Sequence, residues 1–296
     1  MKTSSPKNVL LLLLTAMIWG SAFVAQSVGM DYVGPYAFLA LRSYLAGLVL
    51  VVYLLITGRG KSKEAAAPQN RKQLIFGGIC CGAALCVASL LQQIGIMYTT
   101  VGKSGFLTAM YVIIVPFLSL ILFRKRLPGL IWVCVALSLA GMYLLCLSGP
   151  VGFTYGDLMV LLCAAAFSVH ILVIDHFSPR VDPVRLSCIQ FFVCAIMSTV
   201  PMLLLEHPNP SAIASAWVTI GYAGILSSGV GYTLQIVAQR NCDPTVASIV
   251  MCLESVFSAL FGWVLLHQAL SGREILGCVL MFAAIVLSQL PEQKRP

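Results

Sequence analysis

Charged and amide side chains embedded in apolar sequence are the residues of this chain whose types could do chemistry. Arg42 and Glu254 stand inside long hydrophobic stretches, where each is costly by at least ~2.5–3.5 kcal/mol on insertion scales and so faces a cavity or a partner. Arg42 follows Pro35 by seven residues, roughly 10 Å along a helix at about 1.5 Å per residue, so its guanidinium reaches water only with difficulty. An ionised Glu254 requires a cation or polar partners, whereas a neutral one could hand on a proton. Two readings therefore stand side by side for Glu254: proton coupling, or a structural role as a pair with Arg42 or as a hydrogen-bonded carboxylic acid. His170 is the second proton-coupling candidate, since imidazole as a class exchanges protons near physiological pH; hydrogen-bonded packing is its alternative.

The amides of Gln92, Gln93, Gln235 and Gln239 offer donors and acceptors that suit a zwitterionic or polar metabolite. Tyr98 and Tyr111 add hydroxyl groups, and Trp19 adds an aromatic face beside Gly20. With Arg42, His170 and Glu254 they make up the candidate substrate-binding set. The plainer role for any one of these amides is an interhelical hydrogen bond, on average ~0.6 kcal/mol in membranes. Lys103 could attract an anion to an outer mouth or contact lipid headgroups. Asp31, Asp157, Asp175 and Asp182 fall near joints between apolar stretches, where solvation or helix capping accounts for them.

Other chemistries find no support. His170, Asp175 and His176 come nearest to a metal cluster but lack a third-ligand pattern, and the eleven cysteines contain no Cys-x-x-Cys pair, so they read as small buried hydrophobes. Neither a metal nor a cofactor is expected. No Gly-x4-Gly-Lys-Ser/Thr fingerprint is present, which argues against a nucleotide-driven step in this chain. A membrane enzyme would need paired acids or a His/Asp/Glu constellation, and a cation pore would need acidic rings; a lone Glu254 supplies neither.

The elements that hold these side chains are apolar stretches at about 9–28, 34–57, 73–98, 104–123, 129–147, 155–174, 184–205, 213–237, 244–266 and 272–290. Each is close to the ~20 residues that cross a bilayer as a helix. Hydrophobic residues make up 59% of the chain and charged residues 9%, with mean hydropathy +0.96, far below the ~25% charge of soluble domains. The expected fold is an all-α integral membrane bundle of ten transmembrane helices. The first stretch is too long for a cleaved signal and is read as a retained span.

The net charge of +8 is a topology signal rather than a nucleic-acid footprint. With the N-terminus in the cytoplasm, the cytoplasmic side collects Lys2, Lys7, Arg59, Lys61, Lys63, Arg71, Lys72, Arg124, Lys125, Arg126, Arg180, Arg185, Arg240, Lys294 and Arg295. Only Lys103 and Arg273 fall outside, which predicts both termini in the cytoplasm by the positive-inside rule.

The halves also repeat. An offset of 148 places Trp19 on Phe167, Pro35 on Pro183 and Gly47 on Ala195; an offset of 143 places Gln92 on Gln235, Gly129 on Gly272 and Leu127 on Leu270. Five spans per half force the second half to enter from the opposite face, so residues 1–148 and 149–296 form two inverted five-helix repeats. Secondary transporters commonly use such halves to build a midplane site that opens alternately to each side. Gly78-x3-Gly82 and Gly224-x3-Ser228 are read as close helix contacts, and the glycines of span eight as packing or bending points.

Several short motifs now carry a resemblance. Ile18-Trp19-Gly20-Ser21-Ala22-Phe23, Leu41-Arg42, Gly105-Phe106-Leu107-Thr108 with Tyr111 and Pro116, and Leu253-Glu254-Ser255-Val256-Phe257 before Phe261-Gly262-Trp263 stand in order on the spans. The chain resembles the drug/metabolite transporter superfamily, in its ten-helix EamA-type group. The resemblance implies a carrier in the cytoplasmic (inner) membrane that exports or exchanges amino acids or related solutes, with spans five and ten peripheral. A proton or sodium ion and a second copy of the chain are the candidate partners besides substrate and lipid. Ser255 stands where the family often has Pro and Gln268 where a Glu often closes span nine. The first departure removes a kink source and leaves a bend of span nine without its usual cause.

Overall fold

The computed structural model describes residues 5–58, 71–99, 101–124, 127–146, 154–266 and 271–288. Lys2, Arg59, Lys61, Lys63, Lys125, Arg126, Gln268, Leu270, Lys294, Arg295 and the side chain of Lys103 lie outside the described part. Among the described residues the chain is helical and carries no strand. The helices are α1 (Pro6–Gly29), α2 (Pro35–Gly58), α3 (Arg71–Ile96), α4 (Val101–Thr108), α5 (Tyr111–Phe123), α6 (Gly129–Cys146), α7 (Tyr155–Phe177), α8 (Pro183–Pro201), α9 (Pro210–Ser215), α10 (Trp217–Tyr222), α11 (Thr233–Gln239), α12 (Pro244–Met251), α13 (Glu254–Leu266) and α14 (Gly272–Ser288).

Local chemistry sets many of the starts. Ser5, Asp182, Asn209 and Asp243 each accept a hydrogen bond from a backbone N–H of the following turn, and each precedes a proline at the first helical position. That pairing satisfies an orphan donor and presets φ. Thr154 and Asp157 form a reciprocal capping box at α7. Asp157 and Asp182 thus take the capping roles their positions suggested.

Among the described residues seven helical segments are long and apolar enough to cross a membrane, and Gly129–Leu144 and Ile275–Ser288 add two shorter apolar helices. The eighth crossing in chain order is composite: α10, a π-helical stretch Ala223–Tyr232 and α11. The result is an all-helical membrane fold whose outer faces expose Leu55, Ile56, Ile121, Leu204 and Val286, side chains that suit lipid contact.

Small residues let the backbones meet. A Cβ at Gly82 would lie 2.6 Å from the Gln190 carbonyl, and one at Gly78 would lie 2.4 Å from Ile189, so the Gly-x3-Gly face of α3 packs on α8. α6 packs against α14, where a Cβ at Gly141 would lie 2.6 Å from the Gly277 carbonyl.

Spans four and nine are both interrupted, the first between Thr108 and Tyr111 and the second between Met251 and Glu254. Span nine is thus interrupted although its usual kink source is missing. Without a proline, the N–H of Leu253 turns to the Val250 carbonyl at 3.3 Å and that of Ser255 to Cys252 at 3.2 Å. Ser255 itself donates through Oγ to the Gly105 carbonyl at 3.2 Å. The tightened turn and the bond across to α4 stand at the break, where a proline would otherwise interrupt the helix. α4 packs on α13 and α5 on α12, so the spans run antiparallel with their breaks at the same depth.

Candidate functional site

The site is built where broken and unbroken spans meet. α1 supplies Trp19, Phe23 and Gln26; α2 supplies Arg42; α3 supplies Gln92. Thr108 and Tyr111 flank the break of span four, as Met251 and Glu254 flank that of span nine. Phe167 and Ile171 of α7, Ser227 and Tyr232 of the π-helical stretch, and Gln235 of α11 close the wall. The cavity encloses about 450 Å³ of atom-free space, some of it open to solvent, of which about 30 Å³ admits the centres of water-sized molecules. That is room for on the order of two waters. A metabolite enters only if the walls part.

Both ionisable side chains are buried, Arg42 and Glu254 at 3% exposure each, yet among the described residues they form no ion pair with one another. Arg42 Nη1 donates to Gln26 Oε1 at 2.8 Å, its guanidinium lies 5.8 Å from the centroid of Phe38, and its Nε has no partner among the described residues. Glu254 Oε1 accepts from the Tyr111 hydroxyl at 3.0 Å. The structural Arg42–Glu254 pair is therefore not present, and each charge meets the cavity with hydrogen-bonding capacity to spare. Gln92 Nε2 donates to Thr108 Oγ1 at 3.2 Å, while the buried Oε1 of Gln235 is unpaired among the described residues.

The π-helical stretch shapes the opposite wall. Its widened turn leaves carbonyls to side chains of α1: Trp19 Nε1 donates to Ser227 O at 3.2 Å and Thr15 Oγ1 to Gly231 O at 3.3 Å. Trp19 faces inward, its ring 4.6 Å from that of Tyr232. Gly20, its neighbour, permits α1 to touch α13: a Cβ there would lie 2.6 Å from Phe257 Cβ and 2.7 Å from the Glu254 carbonyl. Such π turns concentrate at functional sites.

Six of the ten candidate residues line this cavity: Trp19, Arg42, Gln92, Tyr111, Gln235 and Glu254. The other four lie elsewhere. Gln93 donates to Met30 Sδ at 3.3 Å. Tyr98 is 57% exposed at the end of α3, edge-on to Tyr155 at 5.6 Å. His170 sits behind the wall, 3.2 Å from Gln190 Oε1 and edge-on to Phe167 and Tyr232. Gln239 is fully buried at the end of α11, its amide unpaired among the described residues.

Sequence reasoning missed Phe23, Gln26, Thr108, Phe167, Ile171, Ser227, Tyr232 and Met251. Five of them fall into pairs at the offsets of the repeat. Trp19 and Phe167, and Phe23 and Ile171, are separated by the offset of 148; Gln92 and Gln235, Thr108 and Met251, and Tyr111 and Glu254 by the offset of 143. Ten of the fourteen lining residues thus fall into five offset pairs, and carrying the offset of 148 from the candidate Trp19 leads to Phe167 on the opposite wall.

The sequence profile of the EamA-like transporter family matches twice, over residues 6–147 and 154–290. The chain belongs to the EamA-like transporter family. It is a multi-pass membrane protein of transporter type. Its relatives include an uncharacterized transporter of Archaeoglobus fulgidus, 27% identical over 94% of this chain and 84% of that one. An uncharacterized inner membrane transporter of Escherichia coli K12, YedA, is 24% identical over 93% and 88%, and YoaV of Bacillus subtilis, also an uncharacterized transporter, is 21% identical over 98% and 99%. A solved crystal structure superposes with a TM-score of 0.78 at 20% identity, covering 96% of this chain and 97% of the other. That likeness shows the EamA-type chain's fold.

Proposed function

We propose that this EamA-type chain is a secondary-active carrier that exports or exchanges a small zwitterionic metabolite, of the amino-acid class, by alternating access. The observation that carries the reading is Arg42: a guanidinium at 3% exposure on the cavity wall, with an unpartnered Nε and no carboxylate bonded to it among the described residues. Breaking the partnership of a buried charge is strongly unfavourable. An anionic group on the substrate completes this one, and Arg presents the planar fork that carboxylates fit. Glu254 across the same cavity gives a zwitterion its second anchor.

Residues 1–148 and 149–296 act as the two inverted repeats, rocking about the cavity between them, with both termini in the cytoplasm and the chain in the inner membrane. The tight cavity fits a contracted state of this cycle, and the pairing of wall residues at two offsets fits a site on a pseudo-symmetry axis. Proteoliposomes loaded with mixed amino acids, amines and small organic acids test the reading, with exchange read by mass spectrometry against protein-free vesicles. Selective movement of carboxylate-bearing solutes that disappears in Arg42→Gln supports it. Exchange indifferent to the carboxylate, or none under an imposed proton or sodium gradient, sinks it.

A further inference from the structure

Arg42 is held, though not neutralised, by a residue that lines the same cavity. Gln26 of α1 is buried on the cavity wall, and its Oε1 accepts from Arg42 Nη1 at 2.8 Å. An added Cβ at Gly29, one turn further along α1, would overlap the ring of Phe38. That ring, one turn before Arg42 on α2, lies 5.8 Å from the guanidinium. Residues three or four apart share a helix face, so Gln26 and Gly29 dock together onto Arg42 and Phe38. The close approach fixes the amide against the guanidinium.

The hydrogen bond falls on one edge of Arg42. A carboxylate grips arginine through two parallel N–H groups, either Nη1 with Nη2 or Nε with Nη2. Gln26 occupies Nη1, which leaves the Nε–Nη2 edge, and Nε has no partner among the described residues. Gln26 is also neutral, where a Glu of the same length would set a carboxylate on the guanidinium. The second repeat carries no such charge at this level. The offset of 148 takes Arg42 to Gln190, whose Oε1 lies 3.2 Å from His170 Nε2 of α7. Each repeat thus joins its first two helices through a side-chain hydrogen bond, and only the first does so with an arginine.

We infer that Gln26 is a specificity-determining residue of the cavity: its amide positions Arg42 through Nη1 and, being neutral, leaves the Nε–Nη2 edge and the positive charge to one carboxylate of the substrate. The inference rests on the carrier reading and deepens it. Selection of amino acids over amines that lack the carboxylate then depends on residue 26 as well as on Arg42.

Purified full-length protein is titrated with leucine, phenylalanine and alanine and with the matching amines, isopentylamine, phenethylamine and ethylamine. Binding is read by indole fluorescence, since Trp19 stands on the cavity wall, and exchange of the same amino acids is followed in proteoliposomes. The parent should prefer each amino acid that it binds to the matching amine by about tenfold or more. Gln26→Glu closes an ion pair with Arg42 in nearly the same shape. It should erase that preference and raise the half-saturation concentration of the amino acid about tenfold or more, with a melting temperature no lower than the parent's. Gln26→Met fills a similar volume without the hydrogen bond, so it should weaken amino-acid binding several-fold and keep the preference, because Arg42 stays uncompensated. A Gln26→Glu protein that still prefers amino acids, or a folded Gln26→Met protein that binds them as the parent does, overturns the assignment. Where Gln26→Glu does not fold, Gln26→Met alone decides. A parent that binds and exchanges none of the three amino acids removes the carrier reading itself; a parent that exchanges them with a preference untouched by residue 26 removes this inference alone.

Discussion

Gly20→Ala puts the construction of the cavity to a quantitative test. The added methyl would lie 2.6 Å from Phe257 Cβ, 2.7 Å from the Glu254 carbonyl and 2.8 Å from the Ser258 N, whereas carbon atoms in good contact sit about 3.5–4.0 Å apart. Two of the three obstacles are backbone, so no rotamer change relieves the clash, and α1 must withdraw from α13 by roughly 1 Å to restore contact distance. Overpacking of this kind costs ~1–3 kcal/mol. With backbone atoms in the way the upper end applies, and replacing Gly by Ala inside a helix returns about 1 kcal/mol of intrinsic propensity. The net expectation is a loss of about 2 kcal/mol, or about 4–8 °C in apparent melting temperature at roughly 2–4 °C per kcal/mol. A fluorogenic thiol reagent provides the assay, because Cys81, Cys86, Cys134, Cys163, Cys188, Cys194, Cys242 and Cys252 are buried and become reactive on unfolding. Gly221→Ala is the matched control: nothing lies within 4 Å of its added Cβ, so it should melt at or slightly above the parent temperature. Since Trp19 and Glu254 flank the contact, Gly20→Ala should also slow solute exchange. A Gly20→Ala protein as stable as Gly221→Ala would refute the close approach of α1 and α13, and with it the placement of this wall.

Further outcomes follow from individual contacts. Arg42→Lys keeps the charge but loses the planar fork, so exchange of carboxylate-bearing solutes should fall at least tenfold in proteoliposomes while the melting temperature changes little by comparison. Asp157 accepts from the backbone N–H of Thr154 at 2.8 Å and from the Thr99 hydroxyl; Asp157→Ala leaves those donors short of a partner and should destabilise by ~1–3 kcal/mol, read in the same thiol assay. Glu206 accepts from the N–H groups of Tyr36 at 2.9 Å and Ala37 at 2.7 Å, capping α2 from another span, so Glu206→Ala should lower stability by about 1 kcal/mol, as loss of an N-cap does. Gly34→Ala should reproduce that loss, because its Cβ would sit 2.2 Å from Glu206 Oε1 and displace the carboxylate.

The all-helical membrane fold, its crossings and part of the cavity wall were legible in sequence, for one physical reason. Hydrocarbon forces backbone bonds to close within each span and penalises isolated charges, so hydropathy marks the helices, and Arg42 and Glu254 mark where polar function must be sheltered. Helix starts were legible at Asp157 and Asp182, since capping is local. What lies between spans was not. That Arg42 and Glu254 share a cavity without pairing, that Gln26 from α1 holds the guanidinium, and that Gln93 and His170 turn away from the wall depend on helix rotations, which a few ångströms of packing decide. Span nine shows the difference most plainly. Local rules made proline the source of its bend, and Ser255 removed it, yet the helix breaks at Cys252–Leu253 with Ser255 bonded to the Gly105 carbonyl of another span. Sequence alone determines where a helix can form and which of its charges need shelter; only tertiary structure decides where a helix yields, because the atoms that compensate the lost backbone bonds come from spans distant in the chain.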